Sequence, residues 1–344
     1  MSQQSVFVTG ANGYIGLAVC RAFVSAGWRV FGLIRRPEAA AELYSAEVVP
    51  ILGTFDDLSS LSELYKHVKS VDVIVGATEV FPNYGEHYLQ VNQYIRSLAK
   101  VSNDHGVRPL VLWTSGCKDY GNTGVDGSPS LVPHTEDCPA TPSVAFLQQR
   151  ATFSLKIFEN TDLFDAAVLR PTNVYGRSSS HYGRWFEVAQ ELKTTGAELK
   201  LTIDPKSILH AMHVDDCGEA YVALAEHSDR SQVAGQCFNI SAHAYETSEA
   251  VWRALEREYG IEGKVQFVQE SDVAEPTPFS LAGVFGYSQW VSSVKLRKLT
   301  GWKDRRMLFT ENLPVYRKAY EVAVATKADD IARADLTKAF LDTQ

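Results

Sequence analysis

The chain has 344 residues, 45% of them hydrophobic and 22% charged, which is typical of a globular protein with one large core or two smaller ones. Its formal net charge of −8 argues against nucleic acid or an anionic membrane as the main partner. No stretch approaches the ~20 apolar residues of a membrane span, no signal peptide is evident, and the five cysteines form no metal-like pair. We therefore expect a cytoplasmic protein without nucleic-acid, membrane or metal partners.

Short apolar runs alternate with amphipathic segments through the first half of the chain. This alternation is typical of parallel strands whose connecting helices cover both faces of the sheet. The predicted strands are residues 6–9, 29–34, 48–52, 71–75, 110–113 and 166–169. The predicted helices between them are residues 14–26, 37–46, 58–68, 84–105 and 144–159. The sequence thus predicts an α/β fold, a Rossmann-type doubly wound parallel sheet with helices on both faces.

After residue 169 the alternation becomes irregular. The predicted helices are residues 184–194, 213–225, 248–259, 294–299 and 313–324, and the predicted strands are residues 237–241 and 265–268. We assign residues 1–175 to the sheet domain, with residues 210–241 returning to it. Residues 176–209 and 242–344 form a smaller substrate-binding lobe, which caps the crevice at the carboxyl ends of the strands.

A glycine-rich turn joins the first predicted strand to the first predicted helix, with glycines at 10, 13 and 16. A dinucleotide needs this arrangement because glycine permits the tight turn, the close approach of a pyrophosphate and the packing of helix against sheet. The helix N-terminus adds N–H groups and the positive end of a dipole. The predicted cofactor contacts in this turn are Gly10, Asn12, Gly13, Tyr14, Ile15 and Gly16.

Further motifs follow this turn in an order that resembles the extended short-chain dehydrogenase/reductase superfamily, of the NAD(P)-dependent epimerase/dehydratase type. The motifs are residues 9–16, 91–92, 113–121, 135–139, 169–176, 213–216 and 299–302. They run nearly from end to end of the chain. The resemblance implies a nicotinamide dinucleotide at the sheet, a substrate in the capping lobe, and a homodimer formed through the helices at 84–105 and 144–159.

In that family an acidic residue at the end of the second strand holds the ribose hydroxyls of NAD. Here the position is Ile34, and Arg35 and Arg36 follow it. A guanidinium can pair with a 2′-phosphate, and no neighbouring acid opposes one. We therefore expect NADP(H) to be preferred over NAD(H). The resemblance also assigns to the cofactor Asp56, Asp57, Ala77, Thr78, Arg150, Pro171 and Thr172.

The proton donor that the resemblance implies is missing. Family members carry a Tyr and a Lys four positions apart on the helix after the fifth strand, and the phenol exchanges a proton with the substrate. No tyrosine lies between residues 121 and 174; Phe146 falls at the Tyr position and Arg150 at the Lys position. Phenylalanine has no proton to give, and the pKa of arginine is too high for proton exchange. Arg150 keeps the ability to contact ribose hydroxyls or phosphate.

Other protic side chains are candidates for the missing role. The family's serine position falls on Gly116, and Ser115 stands one step before it. Tyr175 follows the sixth predicted strand, and Tyr182 lies in a polar, glycine-flanked loop of the kind that closes over substrates. Further candidates are Cys117, His134 and His181. The catalytic set predicted from the sequence is Ser115, Phe146, Arg150, Tyr175 and Tyr182.

Aromatic side chains are frequent in the predicted capping lobe, which favours a hydrophobic small molecule over a sugar nucleotide. Arg177 and Arg184 keep a sugar nucleotide among the alternatives, because they could bind its diphosphate. Three functions are compatible with these features. The first is an atypical NADP(H)-dependent oxidoreductase with another proton donor. The second is a non-redox isomerase or lyase that uses the same pocket, and the third is a catalytically inactive regulator that senses the cofactor.

Overall fold

The computed structural model of the protein describes residues 3–80, 83–142 and 144–326. The strands are β1 (Ser5–Thr9), β2 (Arg29–Ile34), β3 (Val49–Leu52), β4 (Val73–Gly76), β5 (Leu110–Thr114), β6 (Asp165–Pro171), β7 (Asn173–Tyr175), β8 (Leu199–Leu201), β9 (Ile208–Leu209), β10 (Ala211–His213), β11 (Gln236–Ile240), β12 (Glu246–Thr247) and β13 (Val265–Phe267). The helices are α1 (Tyr14–Ser25), α2 (Ala40–Ser45), α3 (Ser59–Leu64), α4 (Tyr84–Asp104), α5 (Ala145–Leu155), α6 (Gly183–Thr195), α7 (Val214–Ala225), α8 (Ser248–Tyr259), α9 (Phe279–Phe285), α10 (Val294–Thr300) and α11 (Leu313–Ala325).

Seven strands form one parallel sheet in the order β11-β6-β5-β4-β1-β2-β3. The chain leaves β1 toward β2 and β3, then crosses back to β4 on the other side of β1. Strand order therefore reverses between β1 and β4, and a crevice opens there at the carboxyl ends of the strands. This arrangement confirms the predicted doubly wound parallel sheet.

Both faces of the sheet are covered by helices. One core cluster joins the sheet to α1, α2, α7 and α10, and a second joins it to α3 and α4. Helices α1 and α7 approach closely because Gly218 has no side chain: a Cβ there would lie 2.5 Å from the carbonyl oxygen of Ala18. Within the described residues, no helix is both long enough and apolar enough to cross a membrane.

The capping lobe has an aromatic core of its own, built on α6, α8, α9 and α11. The ring of Trp185 lies 4.2 Å from that of Phe285 and 5.0 Å from that of Trp252, measured between centroids.

Asp216, buried in α7, joins the C-terminal segment to the sheet domain. It accepts the backbone N–H groups of Arg305 and Arg306 at 3.1 Å and the guanidinium of Arg306 at 2.5 Å.

The predicted elements differ from the observed ones mainly at their ends and in the capping lobe. The helix predicted at 58–68 is shorter, since α3 ends at Leu64, and the helix predicted at 144–159 gives way after Leu155 to a 3-10 turn. Helix α9 and the two- and three-residue strands β7 to β10 and β12 were not predicted, because such short elements carry no periodic signal. Strand β11 pairs with β6 in the main sheet. Of the predicted capping region, residues 327–344 lie outside the described part of the chain.

Candidate active site

A cavity of about 560 Å³ opens where β1, β4, β5 and β6 end. The segments that follow these strands form its floor, the first half of α5 forms one wall, and residues 180–182 and α9 form its roof. Its apolar lining includes Ile15, Phe146, Leu147, Val174, Phe279 and Val284. A volume in this range is typical of pockets that hold small molecules or cofactors.

The glycine turn brings backbone to the edge of this cavity. Gly10 has a φ of +64°, and a Cβ there would lie 2.5 Å from the carbonyl oxygen of Ala77. A Cβ on Gly16 would collide with the carbonyl oxygen of Gly10. Helix α1 begins without a side-chain cap at Gly13. The turn therefore forms a cradle at an uncapped helix N-terminus, a geometry suited to a phosphate group.

Arg150 projects from α5 into the cavity and is held by two carboxylates. Its Nε donates to Asp119 at 2.8 Å and its Nη1 donates to Glu79 at 2.9 Å. Burial acts to lower the pKa of Arg150, but the two carboxylates outweigh burial and raise that pKa further. The guanidinium lies against Gly116, where a Cβ would come within 2.9 Å of Nη2. Arg150 is thus a fixed cation, and the absence of a side chain at Gly116 makes room for it.

Ser115 lies just past the end of β5 and lines the cavity. It belongs to a chain of buried donors in which Trp113 donates to Tyr84 at 3.3 Å and the Tyr84 and Ser154 hydroxyls lie 3.1 Å apart. Ser154 then donates to Ser115 at 3.1 Å, and Ser115 donates to Asp119 at 2.5 Å. The hydroxyl proton of Ser115 is therefore committed to the buried carboxylate of Asp119.

Lys118 also lines the cavity and was not identified from the sequence. Its ammonium donates to the carbonyl oxygen of Gly283 in α9 at 3.0 Å and lies 4.8 Å from the ring centroid of Tyr287. Burial and the nearby charge of Arg150 lower the pKa of Lys118 to about 8, against a weaker opposing effect of Glu79. Lys118 thus changes charge close to neutral pH, unlike Arg150.

Three of the other predicted proton donors are poorly placed for proton exchange. Tyr182 borders the cavity, but its phenol oxygen is buried and lacks a hydrogen-bond partner among the described residues. Tyr175 lies outside the cavity, because its ring packs in the aromatic core and its hydroxyl donates to the carbonyl oxygen of Met307 at 2.8 Å. The thiol of Cys117 donates to the carbonyl oxygen of Arg170, and burial raises its pKa well above the usual value. These three positions therefore offer no readily exchangeable proton to the cavity.

Ten of the predicted cofactor residues fall into two groups. Tyr14, Ile15, Ala77, Arg150, Pro171 and Thr172 line the cavity. Arg35 and Arg36 lie exposed just beyond β2, and Asp56 and Asp57 lie exposed after β3. Asp57 accepts the backbone N–H and the hydroxyl of Ser59, so its carboxylate serves the start of α3.

Three further polar residues of the site were missed in the sequence: Glu79, Asp119 and Gln289. Asp119 lies inside the motif at 113–121, but no pattern marked it as buried. Gln289 comes from the capping lobe and donates to the carbonyl oxygens of Cys117 at 2.7 Å and Gly121 at 2.8 Å. It thereby holds the short turn that carries Lys118 and Asp119. In residues 3–80, 83–142 and 144–326, no group of three or more His, Cys, Asp or Glu side chains is placed to hold a metal ion.

Comparison with known proteins identifies the family. The model of the NAD dependent epimerase/dehydratase family matches residues 6–241, more than half of the chain. The chain belongs to this family. An uncharacterised protein of Schizosaccharomyces pombe is 45% identical over 58 residues, which are 17% of this chain and 20% of that protein. An uncharacterised protein of Saccharomyces cerevisiae is 33% identical over 114 residues, 32% of this chain and 37% of that protein. The chain thus matches less than two fifths of either relative's length.

Solved structures share the fold at low identity. The dTDP-glucose 4,6-dehydratase of Bacillus anthracis, in complex with NAD, superimposes with a TM-score of 0.71 at 16% identity, covering 93% of this chain and 97% of that one. The UDP-glucose 4-epimerase of Thermotoga maritima, with UDP-glucose, gives 0.69 at 16% identity, covering 93% of this chain and all of the other. The UDP-glucuronic acid 4-epimerase of Bacillus cereus, with UDP-glucuronic acid and NAD, gives 0.68 at 17% identity, covering 93% and 99%. At these identities the likeness shows the fold alone.

Replacing Asp119 with Asn is expected to lower the free energy of unfolding by about 3–5 kcal/mol, because it leaves the buried guanidinium of Arg150 without its inner carboxylate. The matched control is Asp162→Asn, which breaks the exposed pair with Arg96 (2.7 Å) and should cost at most about 1 kcal/mol. Urea unfolding of both variants measures the difference. Equal costs would contradict the role of Asp119 as the central anion of the site.

Proposed function

We propose that this protein is an NADP(H)-dependent oxidoreductase acting on a hydrophobic small molecule that carries a carbonyl or a conjugated double bond. The observation that carries the proposal is one continuous cavity that runs from Tyr14 and Ile15, at the start of α1 beside the glycine turn, to the largely apolar roof at α9. One end of this cavity suits a nicotinamide, and the other suits an apolar substrate. Family membership and the NAD-bound structures of the same fold support the cofactor class.

The residues present fit a dinucleotide. The cradle at Gly10 and Gly16 leaves space that a side chain would fill. Two buried polar atoms at the cavity, Thr172 Oγ1 and Arg150 Nη2, have no hydrogen-bond partner among the described residues. Orphaned buried donors are rare and indicate a missing partner. The cofactor contacts we propose are Gly10, Asn12, Gly13, Tyr14, Ile15, Gly16, Arg35, Arg36, Asp56, Asp57, Ala77, Thr78, Arg150, Pro171 and Thr172.

A bound nicotinamide supplies hydride transfer, and the chain's own residues determine what is accepted beside it. Phe146 contributes an apolar wall at the position where the family resemblance places the phenol. Arg150 and Ser115 keep fixed hydrogen bonds to Asp119, so their proposed role is to orient ligand oxygens rather than to exchange protons. Substrates that polarise readily, such as aldehydes or conjugated enones, suit a site of this kind.

A sugar-nucleotide substrate is less well supported by the capping lobe. Arg177 is bound by Asp215 at 2.7 Å, and Arg184 is bound by Glu187 at 2.8 Å. Neither arginine is among the residues that line the cavity. A diphosphate placed there would therefore lack the two cations that the sequence offered for it, whereas an apolar molecule needs none.

The NADP(H) preference is expected to depend on Arg35. Arg35 directly follows β2 and is exposed at the carboxyl end of that strand, where the adenosine ribose of a dinucleotide would lie. Isothermal titration calorimetry should show tighter binding of NADPH than of NADH. Arg35→Ala should weaken NADPH binding about tenfold or more, the loss of one charge-assisted bond, and leave NADH binding unchanged.

The control for that titration is Arg96→Ala, which removes an exposed arginine of α4 that is paired with Asp162. It should change neither affinity. If the wild type bound NADH as tightly as NADPH and Arg35→Ala altered neither, the assignment of NADP(H) would be wrong.

The redox function is tested by following NADPH absorbance with a panel of aldehydes, ketones and conjugated enones. We expect consumption with apolar members of the panel, and we expect a bulky Ala282→Trp substitution in the roof to abolish it while NADPH binding persists. Calorimetric NADPH binding without consumption of any panel member would instead favour a cofactor-sensing regulator. Conversion of a panel member without net NADPH consumption, detected by mass spectrometry, would favour an isomerase or lyase.

We also propose a homodimer formed through α4 and α5. These adjacent helices expose two leucines, Leu89 and Leu155, together with neutral side chains such as Gln93, Gln149 and Thr152. Exposed leucines on two adjacent helices favour a protein interface. Light scattering should give twice the chain mass at micromolar concentration, and Leu89→Lys should reduce it. The control Val322→Lys, at an exposed valine of α11, should leave the mass unchanged. A monomeric wild type would overturn the proposal.

A further inference from the structure

The cavity contains few protons that can be exchanged near neutral pH. The hydroxyl of Ser115 donates its hydrogen bond to Asp119. The phenol of Tyr182 is buried, and its pKa lies well above the usual value. Arg150 is held as a cation by Asp119 and Glu79. Lys118 differs from all three, because its ammonium borders the cavity and has three N–H groups. The hydrogen bond to the carbonyl oxygen of Gly283 uses one of them.

Contacts from opposite sides of the cavity position the Lys118 ammonium. The turn after β5 supplies its backbone, and Gln289 of the capping lobe fixes that turn through the carbonyl oxygens of Cys117 and Gly121. The carbonyl oxygen of Gly283 and the ring of Tyr287 hold the amine from the roof. The amine thus lies at the cavity, between its floor and its roof.

The charged and titratable groups around Lys118 are few. Arg150 of α5 and Glu79 of the loop after β4 act on it from the floor, and their effects oppose each other. His181 faces it from the loop before α6, where the protein atoms around the cavity and the charge of Lys118 lower the pKa of His181 to about 4. The imidazole is therefore neutral at pH 7. Tyr287 presents a ring face, which favours the charged amine. Burial outweighs these attractions, which leaves the amine able to give up a proton under mild conditions.

We propose that Lys118 Nζ gives a proton to the oxygen of the substrate during reduction and takes it back in the reverse reaction. This inference rests on the proposed function. In the reductive direction one Nζ–H bond breaks, one O–H bond forms on the substrate, and the electron pair of the broken bond stays on nitrogen. The electron pair for reduction comes from the reduced nicotinamide, and solvent restores the ammonium. In this chemistry Lys118 takes the role that the resemblance assigns to a phenol at position 146.

The first test observes the amine itself and needs no turnover. Wild-type protein is labelled with trace acetic anhydride at a series of pH values, and the acetylation of each lysine is measured by mass spectrometry. Because only the neutral amine reacts, Lys118 should reach half-maximal reactivity at about pH 8. The exposed Lys193 of α6 is the internal reference and should reach it at a higher pH. Equal midpoints for the two lysines would overturn the proposal.

The second test separates proton transfer from a structural role. Lys118→Arg keeps a cation for the Gly283 carbonyl and the Tyr287 ring but cannot exchange protons near neutral pH. We expect kcat to fall about 100-fold or more, with NADPH affinity unchanged. Wild-type kcat for reduction should fall as pH rises through about 8, because the protonated amine is the reactive form. The variant should lose this dependence. The matched control Lys193→Arg should retain the wild-type rate and pH profile.

The outcomes distinguish the two proposals. If wild-type protein, Lys193→Arg and Lys118→Arg all consume NADPH with the same rate and pH profile, the assignment of Lys118 is wrong. The oxidoreductase function then stands. If wild-type protein consumes no NADPH with any member of the panel, the proposed function fails and the role of Lys118 fails with it.

Discussion

The buried carboxylate of Asp119 is the interaction on which the rest of the site depends. An ionised group without access to water is costly unless several donors surround it. Here the hydroxyl of Ser115 and the Nε of Arg150 donate to it, and the guanidinium of Arg170 lies 3.7 Å away. These groups come from the segment just after β5, from α5 and from β6, so the carboxylate joins three parts of the chain at the point where the sheet ends. The positions of Ser115 and Arg150 follow from this one anion rather than from contacts with a ligand.

The space around the guanidinium explains a second departure from the family pattern. The resemblance places a serine at 116 and a lysine at 150, and this chain has glycine and arginine. A side chain at 116 would stand within 2.9–3.1 Å of three guanidinium atoms. The arginine at 150 therefore depends on the glycine at 116, because a side chain there would occupy the space of the guanidinium. Restoring only one of the two family residues would leave either a gap or a collision.

The sequence predicted the sheet well because its signals are local. Each of the strands β1 to β6 is a short apolar run, and the glycines at 10 and 16 are required by contacts within the same turn and with the end of β4. The site was predicted less completely because its important contacts join distant parts of the chain. Lys118 is positioned by Gly283 and Gln289, more than 160 residues away, in a segment with little periodicity. Tyr175 shows the converse: its position after β6 favoured a catalytic role, but long-range packing against Phe309 and Tyr316 gives it a core role.

The hydrogen bond between the Lys118 ammonium and the Gly283 carbonyl connects the acidity of the amine to the position of α9. A carbonyl oxygen can only accept hydrogen bonds, so it favours the charged amine, which is the stronger donor, over the neutral one. A molecule that enters the cavity and moves α9 away removes an acceptor from the ammonium and makes proton release easier. By thermodynamic reciprocity, loss of the proton weakens the hold of the floor on the roof. Ligand entry, roof opening and proton release are therefore coupled through the hydrogen bond between Lys118 and Gly283.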